Sequence, residues 1–196
     1  MARSIPYPSR MRLDWVNTPF LTATHALGLW GLFHLIFHFS WPTLVLAIAW
    51  YLMCGLSITG GYHRLFSHRA YTANPLLQIF YLCMGAASVQ NSAIKWSDDH
   101  RVHHTKTDTA DDPYSITRGF WWAHIVWVLF AAHKADLSRV PDLKANRLAA
   151  FQHKYYIPLA ILFAAVLPMA IASLWGDALG GLLVAGFLRL TVQYHA

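Results

Sequence analysis

Charge is what this sequence has least of: 12% of its 196 residues are charged, against 56% hydrophobic. A soluble domain carries about a quarter charged residues, so this composition cannot supply an ordinary water-facing surface. Cysteine is nearly absent. Cys54 and Cys83 both sit inside apolar stretches and read as small buried hydrophobes. That leaves no thiolate set for an iron–sulfur cluster or a structural zinc site, and no sign of redox compartment. The stretch from Met1 to Asn17 is basic and holds Pro6 and Pro8, but it lacks the apolar core and small-residue cleavage site of a secretory signal peptide. No internal repeat or low-complexity linker interrupts the chain, so one domain over residues 1–196 is expected.

What is abundant is apolar length. Phe20 to Phe39 and Pro42 to Gly60 contain no charged residue, and each is long enough as a helix to cross hydrocarbon. Only Ser40 and Trp41 separate them, which predicts a tight antiparallel hairpin. A third span is expected from Ile157 to about Trp175, and a fourth from near Leu179, still apolar at Ala196 and carrying Arg189 late in it. Fourteen of the fifteen Lys and Arg lie in the N-terminal arm or between Arg64 and Lys154. The short turns at Ser40 and Gly176 have none, so the positive-inside rule turns the N-terminus and the central region toward the cytoplasm. Pro75 to Ile94 and Gly119 to His133 are also apolar. A crossing by Pro75 to Ile94 would spoil the charge asymmetry and separate two histidine clusters, so both segments are read as interfacial. The fold class is thus all-α integral membrane, with four transmembrane helices, interfacial helices and a cytoplasmic histidine region.

Twelve histidines are present, and five fall in two tight groups. In His100-Arg-Val-His103-His104 the spacing is i, i+3, i+4, which on a helix keeps the imidazoles within about 100° of one another. His63 and His68 are five apart, about 140° around a regular helix. Such a pair suits the end of a helix, or two ions each taking one ring. Asp98, Asp99, Asp108, Asp111 and Asp112 lie close enough in sequence to orient these rings. His25, His34 and His38 read as interhelical hydrogen bonders or interfacial groups, and His124, His133 and His153 as interfacial polar residues. An all-imidazole set suits zinc, copper, iron or nickel, and spacing alone does not choose among them.

The two boxes, with Asp108 to Pro113 and Gly119-Phe-Trp-Trp-Ala-His-Ile-Val-Trp after them, resemble the membrane fatty acid desaturases of the delta-9 acyl-CoA type over roughly residues 20 to 196. The resemblance implies four spanning helices under a cytosolic cap and two iron ions held almost entirely by His63, His68, His100, His103, His104 and further ligands. It also implies dioxygen-dependent removal of two hydrogens from a long-chain fatty acyl group, with likeness to delta-9 enzymes suggesting a cis double bond at that position. Members of the family bend the acyl chain in a kinked tunnel beside a Gln and a Trp six residues apart. Gln90 and Trp96 match that spacing, and Asp99, Asp108 and Asp112 become the carboxylates around the ligands.

Departures from the family pattern matter. A third box, His-x-x-His-His, and an Asn and His beyond the middle of the fourth helix are not in this chain, and His195 precedes the position where those ligands fall. The expectation is a C-terminally truncated desaturase, inactive by itself. The Arg and the Arg-Lys pair that face CoA in animal relatives are here Asp98 and Ala131-Ala132, so acyl-CoA is the default carrier by resemblance only. No fused cytochrome or ferredoxin-like segment is present, which calls for a separate electron donor of ferredoxin, rubredoxin or cytochrome b5 type. Membrane lipid is the expected surrounding partner, and nucleic acid is not a partner. The alternatives are a related histidine-box fatty acid or alkane hydroxylase, and a non-catalytic membrane fragment or haem-binding protein.

Overall fold

The computed structural model describes residues 12–109, 112, 114–130 and 137–196. Asp111, Pro113, Ala131, Ala132 and His133 lie outside the described residues. Among those described, the regular structure is helical apart from one isolated bridge between Leu13 and Phe130.

Three helices are long and apolar enough to cross a membrane: α1 (Asn17–Phe37, 21 residues), α2 (Trp41–Ser67, 27 residues) and α8 (Tyr156–Ser173, 18 residues). Between α2 and α8 lie α3 (Pro75–Ala87), α4 (Ala93–Lys106), α5 (Phe120–His124), α6 (Pro141–Ala145) and α7 (Arg147–Lys154). A final helical run, α9, covers residues 178–195. It is not among the three, because Arg189, Gln193, Gly180, Gly181 and Gly186 lower its hydropathy. Those residues face neighbouring helices rather than the surroundings: Arg189 is 3% exposed.

Short polar side chains start the helices. Asp14 accepts from the Val16 and Asn17 amides ahead of α1, and Ser40 accepts from the Thr43 amide, with Pro42 in the first turn of α2. Asn74 and Ser92 cap α3 and α4, and Asn146 caps α7 through two amides. Each satisfies donors that the first helical turn leaves without partners.

The bundle is built inside out relative to a soluble protein. On α1 the buried residues are Leu21, Thr24, Gly28 and Gly31, while Leu29, Phe33, Ile36 and Phe37 stand outward. Small residues let backbones approach closely where lipid-like surroundings give apolar side chains no reason to hide. At Gly31 an added Cβ would run into the Leu183 carbonyl of α9, which is backbone and cannot step aside. Gly31→Leu is therefore expected to push α1 off α9 and destabilise the bundle by about 3 kcal/mol or more, seen as a lower unfolding midpoint in detergent. Gly55→Leu, at a position with open space around it, is the control.

The apolar run from Pro75 does not continue to Ile94 as one helix. It stops at Ala87, so α3 has 13 residues and is about 20 Å long, short of the ~30 Å hydrocarbon core. Ser88 to Ser92 then form a turn in which Val89 (φ 52°) and Asn91 (φ 72°) are left-handed. Of Gly119 to His133, the described part is the short α5 and a 3-10 turn over Val126–Leu129. Beneath the histidines lies a core of Tyr62, Phe66, Tyr81, Leu82, Ile94 and Val140, tied by Gln152, whose amide nitrogen donates to the Tyr62 hydroxyl and the Leu82 carbonyl.

Candidate metal centre

The last eleven residues of α2, Ser57–Ser67, are wound as a π-helix, and the His68 amide donates to the His63 carbonyl at 3.0 Å. Bonding at i→i+5 brings residues five apart about one turn from each other. That is how His63 and His68, awkwardly spaced for a regular helix, come to stand together with ring centroids 4.6 Å apart. On α4, Trp96, His100 and His104 follow at i, i+4, i+8 and share a face. The two helices meet so that one ligand nitrogen from each of His63, His68, His100 and His104 lies within 4.8 Å of all the others. His100 is central: its Nε2 is 3.1 Å from His68 Nε2 and 3.1 Å from His104 Nε2, and Trp96 stacks on its ring at 4.7 Å. Among the described residues this is the one group of three or more such side chains so arranged.

His103 stands apart from the four. Its Nδ1 is 2.9 Å from Asp112 Oδ1 and its ring stacks on Tyr114 at 4.3 Å. Asp112 is fully buried and also accepts from the Asp108 and Tyr114 amides. In the neutral form of the ring, the carboxylate makes His103 Nδ1 the protonated nitrogen, with the lone pair on Nε2. Asp108 sits in a left-handed turn (φ 58°) and accepts from Ser115. Asp98 is buried beside Arg139, 3.5 Å away. Burial pushes the Asp99 carboxyl up to about 6.

The electrostatics favour ligands. Burial first, and the neighbouring imidazoles second, hold His100 down to about 3, and His104 is lowered by the same causes. Neutral rings at neutral pH present the lone pairs that a metal needs. The chain contains no glutamate, so the Glu-x-x-His ligand sets of carboxylate-bridged di-iron bundles are not available in these residues. The donor set is imidazole, which iron accepts.

Several supports were not foreseen from the sequence. Arg101, inside the second box, makes a two-pronged contact with Asp142 (2.8 and 2.9 Å) and donates to the Phe66 and Ser67 carbonyls at the end of α2. Arg69 reaches the same carboxylate at 3.0 Å. Ser67 and Ser97 join the two histidine helices through buried hydroxyls 2.8 Å apart. Arg101 carried a local signal, lying between ligands; Asp142, 41 residues away, carried none.

Gln90 and Trp96 do come together, with the indole N–H donating to the Gln90 side chain at 3.4 Å. The strained turn that carries Gln90 is gripped from two sides. From α9, Arg189 donates to the Ala87 carbonyl, Gln193 to the Ser88 hydroxyl and Tyr194 to the Val89 carbonyl. From the other side, Tyr156 accepts from the Asn91 amide, His153 pairs with Ser92, and Gln152 accepts from the Ala93 amide. A β-branched residue held at positive φ needs such outside support. His34 pairs with Asp177 at 3.2 Å, as an interhelical hydrogen bonder does.

A cluster of four imidazoles able to hold a metal ion, carried at one end of an apolar helical bundle, is the class that fold and site define. The chain belongs to the fatty acid desaturase family, whose profile matches residues 39–196. It is 38% identical to a Delta(9)-fatty-acid desaturase of Caenorhabditis elegans over all of this chain and 59% of that protein. It is 36% identical to the stearoyl-CoA desaturase of Sus scrofa, over 95% of this chain and 54% of the relative. It is likewise 36% identical to an acyl-CoA Delta(11) desaturase of Choristoneura rosaceana, over 88% and 53%. The chain therefore spans about half the length of these curated relatives.

Proposed function

We propose that this chain is the histidine-bearing part of an oxygen-dependent desaturase that introduces a cis double bond into a long-chain fatty acyl group, acyl-CoA by default and at the delta-9 position by likeness. The observation that carries the proposal is the convergence of four imidazoles from two helices beside the Trp96–Gln90 pair. His63, His68, His100 and His104 would hold iron, with His103 offering Nε2 to a second ion while Asp112 fixes its ring. When bound, the iron pair supplies the oxygen chemistry needed to take hydrogen from an unactivated CH2, which no acid or base in the chain can do.

The protein's own part is aim and exclusion. The acyl chain runs past Trp96 and Gln90, which bend it so that one pair of carbons faces the imidazoles. Apolar neighbours such as Tyr62 and Ile94 keep water from that point. The bundle crosses the membrane four times, α9 being the fourth crossing, with the N-terminus and the histidines on the cytoplasmic side. Fourteen of fifteen basic residues support that orientation. Electrons come from a separate ferredoxin-, rubredoxin- or cytochrome b5-like donor.

The test is to express the coding sequence containing this chain in cells fed an isotopically labelled saturated acid. A labelled mono-unsaturated product is expected; a labelled alcohol instead would mean a hydroxylase. A narrower check concerns Asp112. Asp112→Asn keeps the shape but loses the charge behind His103, and is expected to weaken iron retention about 10–100-fold, measured by iron content after equilibrium dialysis.

A further inference from the structure

A second group of imidazoles lies away from the first and shares no residue with it. His25 on α1, His195 at the end of α9 and His124 in α5 form a linked row. His25 Nε2 is 2.8 Å from His195 Nε2, and His195 Nδ1 is 3.0 Å from His124 Nε2. His25 also rests against the Tyr194 ring at 6.4 Å. We infer that His25 and His195 form a second cation site, which takes one divalent first-row transition ion between the first and last helices, with His124 orienting His195.

Proton accounting leads there. His25 Nδ1 lies 2.7 Å from the Leu21 carbonyl oxygen, which can only accept, so Nδ1 carries a hydrogen, and in the neutral form of the ring Nε2 is the nitrogen with the lone pair. Two ring nitrogens at 2.8 Å need a proton or a cation between them. In one setting His195 Nε2–H fills that place and His124 donates to His195 Nδ1. In the other, His195 donates from Nδ1 to His124, and both Nε2 lone pairs face an ion. The second setting reproduces the outer contacts of metal-bound histidine, where the remaining ring N–H goes to a carbonyl or a neighbouring acceptor. The same heavy-atom arrangement serves both.

The four-histidine centre provides an internal comparison, since its facing Nε2 atoms stand 3.1 Å apart. The His25–His195 approach is within about half an ångström of what two imidazoles adopt around one ion with bonds of about 2.0–2.1 Å. It is too short for axial ligands on opposite faces of a haem iron, which lie about two bond lengths apart. No carboxylate is among the hydrogen-bond partners of these three rings in the described residues, so zinc, copper or nickel suits the site and magnesium or calcium does not. His195 is exposed and His25 half-buried, which leaves room for water to complete the coordination.

The test uses the whole chain, purified in detergent and stripped with a chelator, carrying His100→Ala to cripple the first centre. Copper(II) is added stepwise. One ion whose paramagnetic resonance spectrum shows splitting by two nitrogens is expected, and adding His195→Ala or His25→Gln removes that ion. His124→Gln keeps it with several-fold weaker retention. Equal copper counts with and without His195→Ala, or a spectrum showing one nitrogen, would overturn the assignment. In the otherwise unaltered chain, His195→Ala lowers the count by one and leaves the four-histidine centre loaded, so failure of either site is seen separately.

Discussion

Replacing His100 by alanine is expected to cost the first metal centre at least 100-fold in affinity, more than loss of any other single ligand. Orienting groups alone are worth about 10–100-fold, and His100 is the ring that faces two others directly. Its Nε2 lies 3.1 Å from both His68 and His104, and its ring is 4.7 Å from that of His63. Without it, the pair on α2 and the remaining ring on α4 lose the member that joins them, and Trp96 loses the surface on which it stacks. The measurement is iron bound at the four-histidine centre after dialysis, with circular dichroism to verify that the helices persist. Wild-type iron retention by His100→Ala would sink the assignment of this cluster as the centre.

The next largest effect belongs to a residue that is not a ligand. Arg101 holds α4 to the end of α2 through the Phe66 and Ser67 carbonyls and is itself held by Asp142. Arg101→Met leaves a half-buried carboxylate facing only Arg69 and frees two carbonyls beside the histidines. A fully buried pair broken on one side costs about 3–5 kcal/mol; both partners here are roughly a fifth exposed, so about 2–3 kcal/mol is expected after screening. Asp142→Asn gives a pH signature. The Arg101 hydrogen bonds hold the Asp142 carboxyl below its ordinary 3.8, so the folded state favours the ionised form. That stabilisation is complete above pH 3.8 and disappears as pH falls through the lower folded value. Asp142→Asn is therefore less stable than wild type at pH 7, and the gap closes below about pH 4. A gap that stays constant down to pH 3 in thermal unfolding would show that the ion pair contributes nothing.

Features that depend on local sums were legible without the structure. A run of uncharged residues is apolar wherever the chain goes, so α1, α8 and the start of α2 could be read within a few residues, while α2 runs on past Gly60 to Ser67 and carries His63 and Arg64 inside the helix. That His34 would be an interhelical hydrogen bonder or an interfacial group could be read too, since a polar ring among apolar neighbours must find a partner; the structure pairs it with Asp177. Long-range choices were not. The i, i+3, i+4 spacing puts His100, His103 and His104 on one face, yet Asp112, brought back by the Asp108 turn, draws His103 away from the other two. The five-residue spacing of His63 and His68 looked unsuited to a helix because a π-helical turn cannot be read from local preference. It is held by Arg101 on its terminal carbonyls and by Ser97 against Ser67.

The two histidine clusters themselves mark the limit most plainly. Residue type and spacing by themselves determined that imidazoles would gather at the end of an apolar bundle with no thiolate to compete, whereas the place of Gln90 and Trp96 beside them came only from the resemblance to the desaturases. Only the tertiary structure decided which rings meet. That choice rests on where α3 stops, and α3 stops because six side chains from α7, α8 and α9 hold Val89 and its neighbours in a conformation the local chain would not adopt. Those side chains lie about sixty or more residues further along the chain, and hydrogen bonds between such distant groups leave no pattern in a local stretch of sequence.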